Sequence, residues 1–84
     1  MGKDVIGVEP IGDYRLALVS EDGERREVDV STIVTLDGVF EPLRDPSYFR
    51  RVRVDPDAGT IVWPNGADIC PDVLHERSQP IAKH

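Results

Sequence analysis

The chain has 84 residues, 39% hydrophobic and 31% charged, and its formal net charge is −6. A chain of this length forms one domain, buries only about 60–65% of its unfolded surface, and is stable by a few kcal/mol. No apolar run approaches the roughly 20 residues a membrane-crossing helix needs. The single cysteine, Cys70, excludes an internal disulfide framework and agrees with a reducing, cytoplasmic setting.

The excess of carboxylates opposes non-specific binding to nucleic acid, which requires Lys and Arg to neutralise phosphates. It suits a basic protein partner, or it simply keeps a small domain soluble. The start, Met1-Gly2-Lys3-Asp4, has no apolar stretch resembling a signal peptide. Ile6 stands where a myristoylation signal needs Ser or Thr.

In chain order, Asp4 to Glu9 reads as a first short strand with Ile6 and Val8 on one face. Pro10 to Asp13 reads as a turn. Tyr14 to Val19 alternates, with Tyr14, Leu16 and Leu18 facing one way and Arg15 and Ala17 the other. Glu21-Asp22-Gly23 is a hairpin signal, because Asp-Gly takes the positive φ of tight hairpin turns. Glu24 to Val30 returns, with Val28 and Val30 inward and Arg25, Glu27 and Asp29 outward.

Asp29 or Ser31 then caps a short helix over Thr32 to Leu36. Its β-branched run makes it a poor helix unless packing decides, and Gly38 suits its end. Val39 to Leu43 is irregular, with Phe40 and Leu43 as apolar plugs. Asp45-Pro46 starts about one helical turn through Phe49. Arg51 to Val54 alternates strictly, and Asp55 to Gly59 connects it to a strand over Thr60 to Trp63. Pro64-Asn65-Gly66 makes a tight turn. Pro71 opens a helix running through Val73 and Leu74.

The expected architecture is α+β: a small antiparallel sheet of about five short strands, a meander plus a hairpin, with two or three short helices. Residues 1–77 form the domain and residues 78–84 a polar, flexible C-terminal tail. The expected core holds Ile6, Val8, Leu16, Leu18, Val28, Val30, Ile33, Phe40, Leu43, Phe49, Val52, Val54, Ile69 and Leu74. To these is added either Val62 or Trp63, since adjacent strand positions point to opposite faces.

Chemistry-bearing constellations are few. Cys70, Asp72, His75 and Glu76 lie close in sequence, with His84 beyond them. The paired Cys or His spacing of a structural zinc site is missing. A solvated helix face explains the group better, and no metal or cofactor is expected. Cys70 with His75 as base would be a nucleophile pair, but Cys-Pro at a helix start reads better as a small buried filler. The carboxylates mostly suit turns and caps. Asp68 stands apart, following the Pro64–Gly66 turn between Ala67 and Ile69. It accepts hydrogen bonds from that turn or from the next helix's amides, or it serves binding. Arg44, Arg50, Arg51 and Arg53 form a basic cluster in an acidic chain. Arg51 and Arg53 either pair across strands with carboxylates or form a docking patch for an acidic partner or RNA.

Several runs together resemble a known bacterial family, the domain of unknown function 2442. They are Asp22-Gly23-Glu24, Asp29, Phe40-Glu41-Pro42-Leu43-Arg44-Asp45, Phe49, Val52-Arg53-Val54-Asp55, and Gly59 to Ile69 with Pro71-Asp72-Val73-Leu74. Trp63-Pro64-Asn65-Gly66-Ala67-Asp68 is the most specific of these, and the resemblance spans residues 4 to 76. It implies a small bacterial α+β protein with no established enzymatic activity. It also implies genomic neighbours suggestive of a toxin–antitoxin pair, and relatives that carry the module ahead of a helix-turn-helix domain. His75 departs from the tyrosine common there.

The functional expectation is a non-enzymatic protein-interaction or regulatory module, the antitoxin-like partner of another small, basic bacterial protein. Its candidate partner-binding residues are Arg51, Arg53, Trp63, Asn65 and Asp68. The alternative is a nucleic-acid-linked transcriptional regulator module without its DNA-binding domain. Exposed sheet edges leave a homodimer open as well.

Overall fold

Turns decide where this short chain folds back, and they hold where Asp-Gly and Asp-Pro place them. The computed structural model describes residues 4–81. Strands β1 (Val5–Gly12), β2 (Arg15–Ser20) and β3 (Arg25–Asp29) form an antiparallel meander. At the β2–β3 hairpin Gly23 has φ +87°. Its amide donates to Ser20 O at 2.8 Å, and Ser20 N donates to Glu24 O at 2.9 Å. Leu16, Leu18 and Val28 are buried on the inner face. On the outer face Arg15 meets Glu27 at 2.6 Å, an exposed pair worth about 0–1 kcal/mol.

β1 departs from the sequence reading. It continues through Pro10 to Gly12, so the turn falls on Asp13 and Tyr14 instead of Pro10–Asp13. Its register against β2 slips between Val5 and Gly7 and again between Pro10 and Gly12. Each slip leaves one extra residue, Ile6 and Ile11, as a bulge without an opposite number. A bulge re-aims the side chain that simple alternation would place inside. Ile6 is therefore 59% exposed and outside the core, and Val5 takes its place.

After β3, Asp29 caps a single 3-10 turn over Val30–Thr32, accepting from Ser31 N at 3.0 Å. The helix expected over Thr32 to Leu36 does not form, as its β-branched run foreshadows. Gly38, at φ +57°, starts a second 3-10 segment, Gly38–Arg44, instead of ending a helix. That segment seats Leu43 in the core. Helix α1 (Pro46–Phe49) begins as expected, with Asp45 accepting from Ser47 N at 2.9 Å.

A second antiparallel sheet follows: β4 (Arg53–Asp55), β5 (Thr60–Val62) and β6 (Asp68–Ile69). Trp63, not Val62, faces the core, and Ile61 goes in with it because positions two apart share a face. Helix α2 (Pro71–Arg77) leads to β7 (Gln79–Pro80), which pairs with Arg26 and Glu27 of β3. The chain at Ser78 to Ile81 is thus tied down where a free tail was expected. Residues 82–84 lie outside the described residues. Meander and hairpin each gain one two-residue strand, giving orders β1-β2-β3-β7 and β4-β5-β6.

The core lies between these pieces. Val5, Leu16, Leu18, Val28, Leu43, Phe49, Ile61, Trp63, Ile69 and Leu74 are all buried in one cluster. Val8, Ile33, Phe40, Val52 and Val54 are half-buried against it. The sheets are joined where Val5 N donates to Gly59 O at 3.0 Å. Gly59 has φ +68°, and a Cβ there would overlap the Asp4 carboxylate. Thr60 Oγ1 donates to Ile69 O inside the second sheet.

Arg26 fastens α2 to the meander. Its Nε donates to Ser78 Oγ at 2.7 Å and its Nη2 to Ser78 O at 2.7 Å and His75 O at 3.2 Å. Its Nη1 meets Glu24 Oε2 at 3.1 Å. No described helix is long and apolar enough to cross a membrane.

Candidate functional site

The residues proposed from sequence for partner binding divide into braces and surface groups. Trp63 is fully buried, so it offers no contact surface. Its Nε1 donates to Phe49 O at 3.0 Å, and its ring lies 6.0 Å from that of Phe49. Asn65 is exposed but fully engaged. Its Nδ2 donates to Val39 O at 2.9 Å, its Oδ1 accepts from Ala67 N at 3.1 Å, and its amide donates to Tyr48 Oη at 2.8 Å. Asn65 therefore does the turn-holding work expected of Asp68. Asp68 is exposed on β6, opposite Val62.

Arg53 pairs with Val62 from the other side, so Arg53, Val62 and Asp68 form a cross-strand row on the face away from the core. The row puts a cation and an anion on either side of a half-buried valine. Arg51 is exposed, with its guanidinium 5.9 Å from the Tyr48 ring centroid. Arg44 Nε donates to Leu36 O at 2.7 Å, which ties it to the loop. The arginine cluster is thus partly committed to local structure.

Cys70 is a free, exposed thiol at the start of α2, not a buried filler. His75 is half-buried, and its carbonyl serves the Arg26 clamp. Among the described residues, no group of three His, Cys, Asp or Glu side chains converges to hold a metal ion. His84 lies outside those residues.

Two concave surfaces emerge that sequence reasoning missed. The first is a groove of about 170 Å³ where the sheets meet, lined by Asp4, Val5, Ile6, Glu21, Val54, Pro56 and Gly59. The β1 bulge supplies its exposed apolar member, Ile6. Asp4 and Glu21 are exposed carboxylates on the same groove. The alternation of Ile6 and Val8 hid this site, because nothing in the residue types marks a register slip.

The second is a cleft of about 270 Å³ between the β1–β2 turn and α1. Gly12, Asp13 and Tyr14 line one side and Pro46, Phe49 and Arg50 the other. Tyr14 has φ +61°, the one described non-glycine residue at positive φ. A bulky side chain in that region costs about 1–2 kcal/mol. The structure holds it there by two contacts. Tyr14 O accepts from Val30 N at 2.7 Å, and its ring packs edge-on against Phe49 at 5.4 Å.

A family model described as "Protein of unknown function (DUF2442)" matches residues 5–80. The chain belongs to the DUF2442 family. No curated protein and no solved structure matches it. In this DUF2442 chain the matched span reaches from the first residue of β1 to the last of β7. The Trp63-Pro64-Asn65-Gly66 run that carries the resemblance is an internal brace: Trp63 N donates to Ala67 O at 2.8 Å and Gly66 N to Trp63 O at 2.9 Å. The groove and the cleft of this DUF2442 chain use other residues.

Proposed function

We propose that this DUF2442 chain is a non-enzymatic interaction module of the bacterial cytoplasm. It binds a small basic protein, in the manner of an antitoxin with its toxin. One observation carries the reading: the inter-sheet groove sets the apolar side chains of Ile6, Val54 and Pro56 beside the carboxylates of Asp4 and Glu21. A Lys or Arg side chain has the matching form, an apolar stem and a charged head. The net charge of −6 adds long-range attraction for such a partner. The exposed free thiol of Cys70 suits a reducing compartment.

Docking is by side chains, not by strand addition. β1 is an edge strand, but two bulges and Pro10 interrupt it, and such features block edge pairing. The same features oppose a homodimer built through β1.

Capture from native cell extract tests the proposal. The wild-type chain is expected to retain a small basic protein in one-to-one ratio, and that protein expressed alone to slow growth. The double variant Ile6→Lys, Glu21→Gln is expected to lose it. The charge-matched control Glu41→Gln, Glu76→Gln, changed at exposed positions outside the groove, keeps it. Absence of any stoichiometric partner refutes the interaction reading. Equal loss in both variants keeps the partner but removes the groove.

A further inference from the structure

The cleft beside Tyr14 answers to a different chemistry. Its volume, about 270 Å³, lies at or below the small end of the range for ligand pockets. It has room for a single amino acid and not for a nucleotide. Its apolar lining is Pro46, Phe49 and the ring of Tyr14. Its charged members are one carboxylate, Asp13, and one guanidinium, Arg50. Both are exposed, and neither side chain makes an ion pair or hydrogen bond among the described residues. Arg44, by contrast, is spent on Leu36 O.

Tyr14 is the odd residue of this wall. Glycine or asparagine fits φ +61° with less strain. Tyrosine instead closes one side of the cleft and rests its ring on Phe49. Strain of this kind persists where the surroundings fix it and clusters at ligand sites.

We infer that the cleft binds a free α-amino acid with an apolar side chain. Arg50 receives the α-carboxylate, for which a guanidinium offers a paired hydrogen-bond fork. Asp13 receives the α-ammonium group. The side chain lies against Pro46, Phe49 and Tyr14. A nucleic acid or an anion alone would leave Asp13 opposed by like charge, and a simple amine would leave Arg50 unused.

Amide chemical-shift titration of the full chain with L-phenylalanine and L-leucine is the test. Saturable shifts are expected at Asp13, Tyr14, Phe49 and Arg50. N-acetyl-L-phenylalanine, lacking the ammonium group, and L-phenylalaninamide, lacking the carboxylate, are each expected to bind about tenfold more weakly, the weight of one lost charged contact. Asp13→Asn is expected to weaken L-phenylalanine by a similar factor while leaving the N-acetyl compound unchanged. Arg50→Gln should do the same for the carboxylate and the amide. Both substitutions are at exposed positions, so folding is retained. Absence of saturable shifts, or shifts centred elsewhere, overturns the inference. Equal affinity for the N-acetyl compound also overturns it, since a peptide C-terminus would then serve as well.

Discussion

Replacing Trp63 by alanine is expected to leave the chain largely unfolded at 25 °C. Trp63 is the largest of the fully buried side chains, and it belongs to the one core cluster to which both sheets contribute. It directly follows β5, lies with its ring tilted beside that of Phe49 of α1, and donates to the Phe49 carbonyl at 3.0 Å. Truncating such a residue costs about 3–5 kcal/mol, from lost burial and an unfilled cavity. A chain of this length is stable by only a few kcal/mol, so this one substitution removes most or all of it. Trp63→Phe should cost less, about 1–2 kcal/mol, since it keeps an aromatic filling and loses one buried hydrogen bond. Urea denaturation followed by far-ultraviolet circular dichroism measures both. A Trp63→Ala unfolding free energy within about 1 kcal/mol of wild type would mean that the two sheets do not depend on this ring.

The second large effect is expected at Arg26, whose side chain is only 13% exposed. Arg26→Met keeps much of the stem and removes every guanidinium bond. It leaves Ser78 O and Glu24 without their cationic donor, and one Glu24 oxygen, Oε1, is already buried without a partner among the described residues. Loss of one member of a partly buried pair costs about 2–4 kcal/mol. The loss should be local before it is global. Ser78 N bonds Leu74 O, and Ile81 N bonds Arg25 O, so these two amides should exchange faster in the variant than β2 amides do. Combining Arg26→Met with Glu24→Gln is expected to recover part of the loss, because the stranded carboxylate is gone. Unchanged exchange at Ser78 and Ile81 would show that α2 is held by apolar packing alone.

These residues also show what the sequence made legible. Asp22-Gly23, Asp45-Pro46 and Cys70-Pro71 mark their turn or helix starts, because each acts through backbone geometry within a few residues. The alternation of β2, β3 and β4 is visible for the same reason. Features that depend on distant stretches meeting were not visible. A bulge is a mismatch between two strands, so Ile6 looked like an inward residue until β2 fixed the register. The division of labour between Asn65 and Asp68 depends on Val39 and Tyr48 arriving from elsewhere in the chain.

The surfaces were harder to foresee than the fold. Arg51 and Arg53 stood out because they are close in sequence. The groove draws Asp4, Ile6, Glu21, Val54 and Pro56 from three separate stretches. The cleft likewise joins a turn near residue 13 to a helix near residue 49. No local pattern predicts such meetings. Trp63 was legible as important, but its distinctive setting signals burial and not contact.

Docking of a basic partner on the acid-lined groove between the sheets is open to direct test by amide hydrogen exchange of the captured complex against the free chain. Slowed exchange is expected in residues 4–8, 20–22 and 54–59, which surround the groove. Protection confined to residues 50–53, with the groove segments unchanged, would contradict it and move the interface to the arginines.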